Sequence, residues 1–382
     1  MMEYVTLELK LETPLITYPD PLWPLRPGEV SARWRWWANA LVAGALFELG
    51  LLHGAAGEEM IKTPTKEEAE CVSKIVGLDL GLGYAGRQEE SRASCFRIRF
   101  EKTDFVPFFK DISHSIASRY PALRQLLQDD VGVWRDPLFT LRYIDKYSAK
   151  LVIDEHIPCN MDGRTREAAL GALALAFNLS CFGWGGRRGL GCFSVKAYGM
   201  HSSLFSEKDP KELVKRVMSA VRDVVSRAVS KRCSGLRYKE PRRELPPTPV
   251  LNITRRYDVE NFALTPYMLV TVKKVNWEDL HNFFHRFLSK PRSGGDAFRE
   301  TLKAWIIGGA PRRPSSMMLA VASDNTAYLS VFASVDWPRE AEVIRGYRRP
   351  VAEVDMLNAT AHAVKEFIDY AKKLGGEIEI WP

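Results

Sequence analysis

Apolar and polar residues alternate from Val5 to Leu11, which is the period of a strand with one buried face. The chain then enters Glu12-Thr13-Pro14-Leu15-Ile16 and a proline-rich stretch, Pro19–Pro27. The residue before each proline avoids helical backbone, so this stretch is expected to be extended. Ser31 offers an N-cap for a helix from about Ala32 to Leu49. At 100° per residue, Trp34, Trp37, Ala38, Leu41 and Ala45 form one stripe, which is the core face. Arg35, Trp36 and Asn39 fall away from it. A tryptophan on that side suits RNA stacking or a protein interface, or else packs under loops of its own domain.

Further along, the pattern predicts a short helix over Glu67–Val76, a strand at Cys95–Phe100 and a helix at Ser113–Gln128. A strand at Leu151–Ile153 and an alanine-rich helix at Arg164–Leu179 follow. The run Gly183–Gly191 separates that helix from a strand at Cys192–Ala197. A boundary falls near His201. Pro210–Ser230 is strongly helical, and Lys231–Pro249 is polar, proline-rich and basic, the character of a linker or mobile loop. The last third predicts strands at Val250–Ile253 and Tyr267–Val275 and helices at Trp277–Leu288 and Asp296–Ile307. Paired strands follow at Ser316–Ala322 and Ala327–Ala333 around the turn Asp324-Asn325. A helix at Val354–Leu374, closed by Gly375-Gly376, leads into a strand at Glu377–Trp381. The organisation is therefore a unit over 1–205, a helical connector and basic linker over 206–249, and a second unit over 250–382. Both units alternate sheet and helix, which is an α+β class.

Composition narrows the partners. The chain has 382 residues, 54 of them Lys or Arg and 47 Asp or Glu, for a net charge of +7. That surplus is compatible with a polyanion. No apolar run approaches the ~20 residues that span a bilayer, and Leu41–Phe47 lies in an amphipathic helix rather than a signal peptide, so a cytoplasmic location is expected. Cys71, Cys95, Cys159, Cys181, Cys192 and Cys233 include no C-x-x-C pair. Structural zinc is therefore not expected, and the six read as buried free thiols, with disulfides left open for a hyperthermophilic source.

Five of the nine residues in Gly183-Trp-Gly-Gly-Arg-Arg-Gly-Leu-Gly191 are glycine. Glycine admits positive φ and close backbone approach, so the N–H groups of Gly185, Gly186 and Gly189 could cradle an anion. Arg187 and Arg188 add charge, and Trp184 adds a flat face for a base. The alternative is a tight turn with two solvated arginines. No Gly-Lys-Ser/Thr follows, so this is not a Walker loop, and its place after a helix excludes a dinucleotide fingerprint. Arginine pairs recur at Arg187-Arg188, Arg242-Arg243, Arg255-Arg256, Arg312-Arg313 and Arg348-Arg349. Arginine favours bidentate phosphate contact.

Catalytic patterns are weaker. His281 and His285 are spaced i, i+4, but no third metal ligand is identifiable. Asp154-Glu155-His156 are neighbours whose side chains alternate across a strand. No catalytic residue, metal or cofactor is expected.

Glu12-Thr13-Pro14-Leu15, Leu25-Arg26-Pro27 and Ser31-Ala32-Arg33-Trp34-Arg35-Trp36-Trp37 together resemble the amino-terminal signature of the RAMP proteins of CRISPR systems. Gly183–Gly191 resembles the RAMP glycine-rich loop, although it is shorter. Gly308-Gly309-Ala310-Pro311-Arg312-Arg313-Pro314-Ser315-Ser316 is similar to an Arg-Pro-Ser stretch of the first-numbered subunit of the Cmr (type III-B) effector, which the Trp-rich helix also resembles. The resemblance implies two ferredoxin-like (RRM-like) domains with helical insertions. It implies a non-catalytic subunit at one end of the ribonucleoprotein, near the 3′ part of the guide, beside other RAMP subunits. The RNA-binding residues it suggests, with those read above, are Arg35, Trp36, Asn39, Trp184, Gly185, Gly186, Arg187, Arg188, Gly189, Arg242, Arg243, Arg312 and Arg313. Two alternatives stand beside it. One is a metal-independent endoribonuclease that processes CRISPR transcripts and uses His53, His114 or His156 as base. The other is a protein–protein adaptor.

Overall fold

The computed structural model describes residues 3–17, 24–56, 62–86, 90–101, 110–111, 142–239, 244–288, 306, 315–335 and 352–382. The chain opens with β1 (Glu3–Leu11), a short β2 (Leu15–Thr17) and the long α1 (Pro27–Glu48). A small hairpin of β3 (Ala55–Ala56) and β4 (Lys62–Thr63) precedes α2 (Lys66–Lys74), which runs into a π-helical turn at Ile75–Asp79. Next come β5 (Phe96–Glu101), β6 (Lys110–Asp111), β7 (Arg142–Ile144) and β8 (Ser148–Glu155). They are followed by α3 (Gly163–Leu179), β9 (Phe193–Tyr198), the one-turn α4 (Ser202–Phe205) and α5 (Pro210–Arg232). The rest comprises β10 (Tyr257–Val259), β11 (Phe262–Leu264), β12 (Tyr267–Lys273), α6 (Trp277–Leu288), β13 (Met317–Val321), β14 (Ala327–Phe332), α7 (Glu353–Lys373) and β15 (Glu377–Trp381).

Two four-stranded antiparallel sheets carry the architecture, in the orders β5-β8-β1-β9 and β13-β14-β12-β15. Each follows a β-α-β-β-α-β path with the second and third strands joined and the fourth added beside the first. That is the ferredoxin-like arrangement, used twice. In β1 the core positions Val5, Leu7, Leu9 and Leu11 are buried while Glu8 and Lys10 are exposed, so the alternation in sequence became the two faces of the sheet.

Helix α1 begins five residues earlier than Ala32. Pro27 occupies the first turn, where its missing N–H costs nothing, and Glu29 Oε2 accepts from the Arg26 N–H at 3.5 Å. Ser31 is therefore helical and caps nothing. The indole N–H of Trp34 donates to the Ala169 carbonyl at 2.7 Å and that of Trp37 to Ser180 Oγ at 3.2 Å. Two large side chains are thus buried without an orphaned donor.

Helix α5 packs its apolar face, from Leu213 through Val225, into the same core as α1 and α3. Where described, the stretch after it is tied to both units by hydrogen bonds. Lys239 N–H donates to the Gly50 carbonyl, Tyr257 OH to the Glu244 carbonyl, Val335 N–H to the Pro246 carbonyl and Leu251 N–H to the Ala40 carbonyl. Val250–Ile253 forms no strand: Leu251 N–H donates to the Ala40 carbonyl of α1, while the Asn252 carbonyl accepts from Tyr267 N–H at the start of β12. At the crossing a Cβ on Gly44 would meet the Leu251 carbonyl oxygen at 2.1 Å. The β10–β11 hairpin was not expected. It turns on Glu260 (φ 47°) and Asn261 (φ 63°), a type I′ geometry usually signalled by Asn-Gly or Asp-Gly.

The cysteines overturn the free-thiol expectation. Cys71–Cys233, Cys95–Cys159 and Cys181–Cys192 are disulfides. Their separations of 162, 64 and 11 residues exceed any local motif, so only the fold brings the pairs together. Among the described residues no helix is long and apolar enough to cross a membrane. The helices expected at Ser113–Gln128 and Asp296–Ile307 lie outside the described residues, apart from Ile306.

Candidate nucleic-acid interface

The glycine loop is built from its own backbone inward. Trp184 N–H donates to the Ile16 carbonyl (2.9 Å), Gly186 N–H to Gly183 O (3.3 Å), Arg188 N–H to Gly185 O (2.7 Å) and Gly191 N–H to Pro14 O (2.8 Å). Of the three glycine N–H groups expected to cradle an anion, that of Gly186 is satisfied within the loop. The glycines serve a tighter purpose. Gly191 has φ 75°, and a Cβ there would sit 2.1 Å from the Phe182 carbonyl oxygen. The Cys181–Cys192 disulfide closes the base of the loop.

The outer end of the loop docks on the second unit. Leu319 N–H donates to the Arg187 carbonyl at 3.0 Å, and Arg188 bridges Leu319 in parallel, covering the free edge of β13. Arg187 also donates from its guanidinium to the Ser315 carbonyl. Gly189 lies against Leu319, where a Cβ would be 3.0 Å from a Leu319 methyl carbon. The Arg188 carbonyl accepts from His281 Nδ1 at 2.7 Å, which places that ring's proton on Nδ1. Arg188 is only 8% exposed, and burial pushes its guanidinium down to about 10. It is not the solvated side chain expected from a surface Arg-Arg pair. Trp184 packs in the small cluster that includes Ile16, Cys181 and Trp277.

Trp36 meets this loop from the other side. The Arg187 guanidinium carbon lies 4.9 Å from the centre of the Trp36 ring, within cation–π range. Trp36 also packs edge-on to Phe332 of β14, at 5.0 Å between centroids and 89°. Arg35 and Asn39 do not share this surface. Arg35 donates to the carbonyls of Leu82 and Gly83 (3.0 Å to Gly83), tying α1 to the end of the π-helical turn. With Asn39 it lines a separate groove of about 1430 Å³ against α2. There Lys74 is paired with Glu70 and Glu90. The grouping of Arg35, Trp36 and Asn39 is thus corrected: at 100° per residue Trp36 is turned toward the second unit, and the other two toward α2.

Arg33 is the residue the sequence reading missed. It lies one turn before Trp36 on the face that also carries Glu29, and it is half-buried. Burial lowers its guanidinium to about 10, while Glu29 opposes the shift. Arg187 is pushed further, to about 9, by burial and then by the positive charge of Arg33. A signal for this was present in the i, i+3 spacing of Arg33 and Trp36. It was hidden because Arg187 arrives from 150 residues away.

Arg242, Arg243, Arg312 and Arg313 lie outside the described residues, as do Arg348, Arg349 and His114. Arg255 is used internally: it donates to the Phe47 carbonyl at 3.1 Å and lies over the Phe47 ring at the end of α1. Asp154 does not form an acid–base pair with His156. It is buried and held by Arg97 at 2.8 and 2.9 Å, with Arg99 at 3.5 Å, and the Arg97 hydrogen bond holds its carboxyl below the usual range. No group of three or more His, Cys, Asp or Glu residues could hold a metal ion among the described residues.

No family model and no curated protein matches the chain. Solved structures do. A chain of the type III-B Cmr-beta complex bound to cognate target RNA aligns over 95% of this chain and 100% of its own length, with 11% identity and a TM-score of 0.52. Cmr1 from Pyrococcus furiosus in its apo form aligns over 98% of both chains, with 14% identity and a TM-score of 0.50. At these identities the likeness establishes a shared fold over nearly the whole chain.

Proposed function

We propose that this chain is a non-catalytic RNA-binding subunit of a type III-B CRISPR RNA-guided effector complex. Its partners are then the guide RNA in its 3′ part, the target RNA and neighbouring RAMP subunits, at one end of the assembly. The observation that carries the reading is the end-to-end fold match to a chain of an RNA-bound Cmr-beta complex. The chain adds an arginine- and tryptophan-lined junction where its glycine loop meets its second unit. Arg187 and Trp36 form the central contact of the proposed RNA surface, and Arg35 and Asn39 would contact RNA in the separate groove against α2. Arg242, Arg243, Arg312 and Arg313 are further proposed RNA contacts. Trp184, Gly185, Gly186, Arg188 and Gly189 act by shaping and seating the loop. The units are residues 1–205 and 250–382, joined by 206–249, with α5 packed on the first. A cytoplasmic place is part of the proposal. It fits three disulfides where intracellular proteins are disulfide-rich, as in hyperthermophiles.

The test is filter binding of single-stranded RNA by the purified full chain across a salt series, with the RNA checked for integrity in EDTA. Binding without cleavage is expected, and its logarithm should fall linearly with log salt as counterions are released. No affinity at low salt would leave a protein–protein adaptor. Specific cleavage that is lost on changing His53, His114 or His156 would make the chain an enzyme.

A further inference from the structure

We propose that Tyr238, beside the C-terminal end of α1, is a stacking platform for one unpaired RNA base, with Arg237 and Lys239 taking the flanking phosphates. The inference rests on the RNA-binding reading above and deepens it, since no residue of 231–239 had a part there.

Tyr238 is 68% exposed, more than any other large hydrophobic side chain among the described residues. Its backbone is held on both sides. Cys233 is cross-linked to Cys71, Leu236 N–H donates to the Cys233 carbonyl at 2.9 Å, and the Leu236 side chain packs against the core of the first unit. On the other side, Lys239 N–H donates to the Gly50 carbonyl at 3.0 Å. The ring lies along Gly50, which has φ 69°. A Cβ there would be 3.0 Å from Tyr238 Cε2, 3.3 Å from Cδ2 and 2.7 Å from the Lys239 carbonyl oxygen. The Cδ2–Cε2 side of the ring is thus seated on backbone, and the rest is open to solvent. A ring held this way has little ordering entropy left to lose on binding. Tyr198, the next most exposed tyrosine, is the contrast. Its hydroxyl donates to Glu8 at 3.0 Å, and the Lys196 ammonium lies 5.2 Å from its ring centre. Tyr238 has no such partner for its hydroxyl or its ring among the described residues.

The charge around the ring has one sign. Residues 231–239 contain Lys231, Arg232, Arg237 and Lys239 and no carboxylate. Arg232 is spent on Asp79 at 2.8 Å, and Glu48 at the end of α1 is paired with Arg222 at 2.7 Å. Arg237 and Lys239 are exposed, and among the described residues neither side chain has a hydrogen bond or ion pair. A flat ring between exposed cations suits single-stranded nucleic acid, because every base has a π face and phosphates lie on either side of it. A protein partner would favour an apolar surround depleted of charge. Arg242 and Arg243, already proposed as RNA contacts, come four and five residues later in the chain.

The test uses the full chain and an oligouridylate carrying 5-iodouridine, with filter binding across salt and photo-crosslinks mapped by mass spectrometry. Tyr238→Ala should melt like the wild type and lose RNA affinity about 10-fold, the loss of one stacked base. Its log–log salt slope should not change, since a stacked base releases no counterion. Tyr238→Leu keeps apolar cover over Gly50 but has no ring. It should lose the same affinity, whereas Tyr238→Trp should keep it. Changing Arg237 and Lys239 together to Gln should lower the slope by about 1.4, two single-strand phosphate contacts. The wild-type crosslink should map to Tyr238. Wild-type affinity in Tyr238→Ala and Tyr238→Leu, or crosslinks only at other residues, overturns the platform while the RNA reading survives. Unchanged RNA binding with weakened co-purification of neighbouring RAMP subunits makes Tyr238 a protein contact and also overturns it. If the wild type binds no RNA, the platform and the RNA reading fail together.

Discussion

Arg187 faces two ways. Its carbonyl and guanidinium hold the second unit through Leu319 and Ser315, and its cationic face covers Trp36. Its burial, and then the positive charge of Arg33, set a pH dependence whose sign is fixed. An arginine lowered to about 9 in the fold, well below its ordinary value, binds fewer protons there than in the unfolded chain above about pH 9. Stability therefore rises as pH climbs above about 9, and the penalty of the buried charge beside Arg33 is fully present below it. Arg26, Arg33 and Glu29 are the other charged groups in this cluster. The difference in melting temperature between Arg33→Gln and wild type should accordingly shrink on going from pH 7 to pH ~10. A constant difference across that range would show that the two charges are not coupled. Asp162 gives the opposite case. Its carboxylate caps α3 through the Thr165 N–H at 2.6 Å and pairs with Arg227, whose hydrogen bond holds it well below the usual range. Its contribution is present above the ordinary Asp pKa and is lost as pH falls below it. Asp162→Ala should cost about 1 kcal/mol at pH 7 and less in acid, measured by urea unfolding.

At the scale of elements, disulfides and one glycine make distinct predictions. Chain entropy gives a cross-link spanning 162 residues about 5 kcal/mol and one spanning 11 residues about 3 kcal/mol. Replacing Cys71 and Cys233 by Ser should therefore lower the melting temperature more than replacing Cys181 and Cys192. RNA affinity should show the reverse order, because Cys181–Cys192 holds the base of the glycine loop. The same ranking in both assays would sever the loop from RNA binding. Gly44→Ala should destabilise by about 2 kcal/mol or more, since the new methyl meets the Leu251 carbonyl where the chain crosses α1. Wild-type stability in that variant would mean the crossing is loose. These elements also show where the pattern of the sequence stopped. Strands β1, β5, β13, β14 and β15 and helices α3, α5, α6 and α7 follow their periodicity to within a few residues. The β10–β11 hairpin escaped because Glu260-Asn261 lacks a glycine, although both residues take positive φ. Val250–Ile253 has strand composition but was claimed by a helix.

For the whole molecule, the two units are not beads on a linker. Trp36 and Trp37 of α1, Tyr267 of β12 and Phe332 of β14 pack ring to ring, with centroid separations between 5.0 and 6.4 Å. A junction sharing core side chains predicts one cooperative calorimetric transition with equal calorimetric and van't Hoff enthalpies. Phe332→Ala, which empties the centre of that junction, should lower the transition by about 3 kcal/mol and split it in two. A wild-type scan that already shows two transitions would contradict the shared core.

The sequence alone determined what depends on near neighbours along the chain: the strand and helix periods, the α+β class, the basic surplus and the residue types of the glycine loop. Those features follow from backbone geometry and side-chain polarity, which act over a few residues. The tertiary structure decided what depends on distant residues meeting. It paired six cysteines that looked free, turned Trp36 away from Arg35 and Asn39, and buried Arg188 at a sheet edge. Burial and charge proximity, which decide what such residues can do, exist only once the two units have closed on each other.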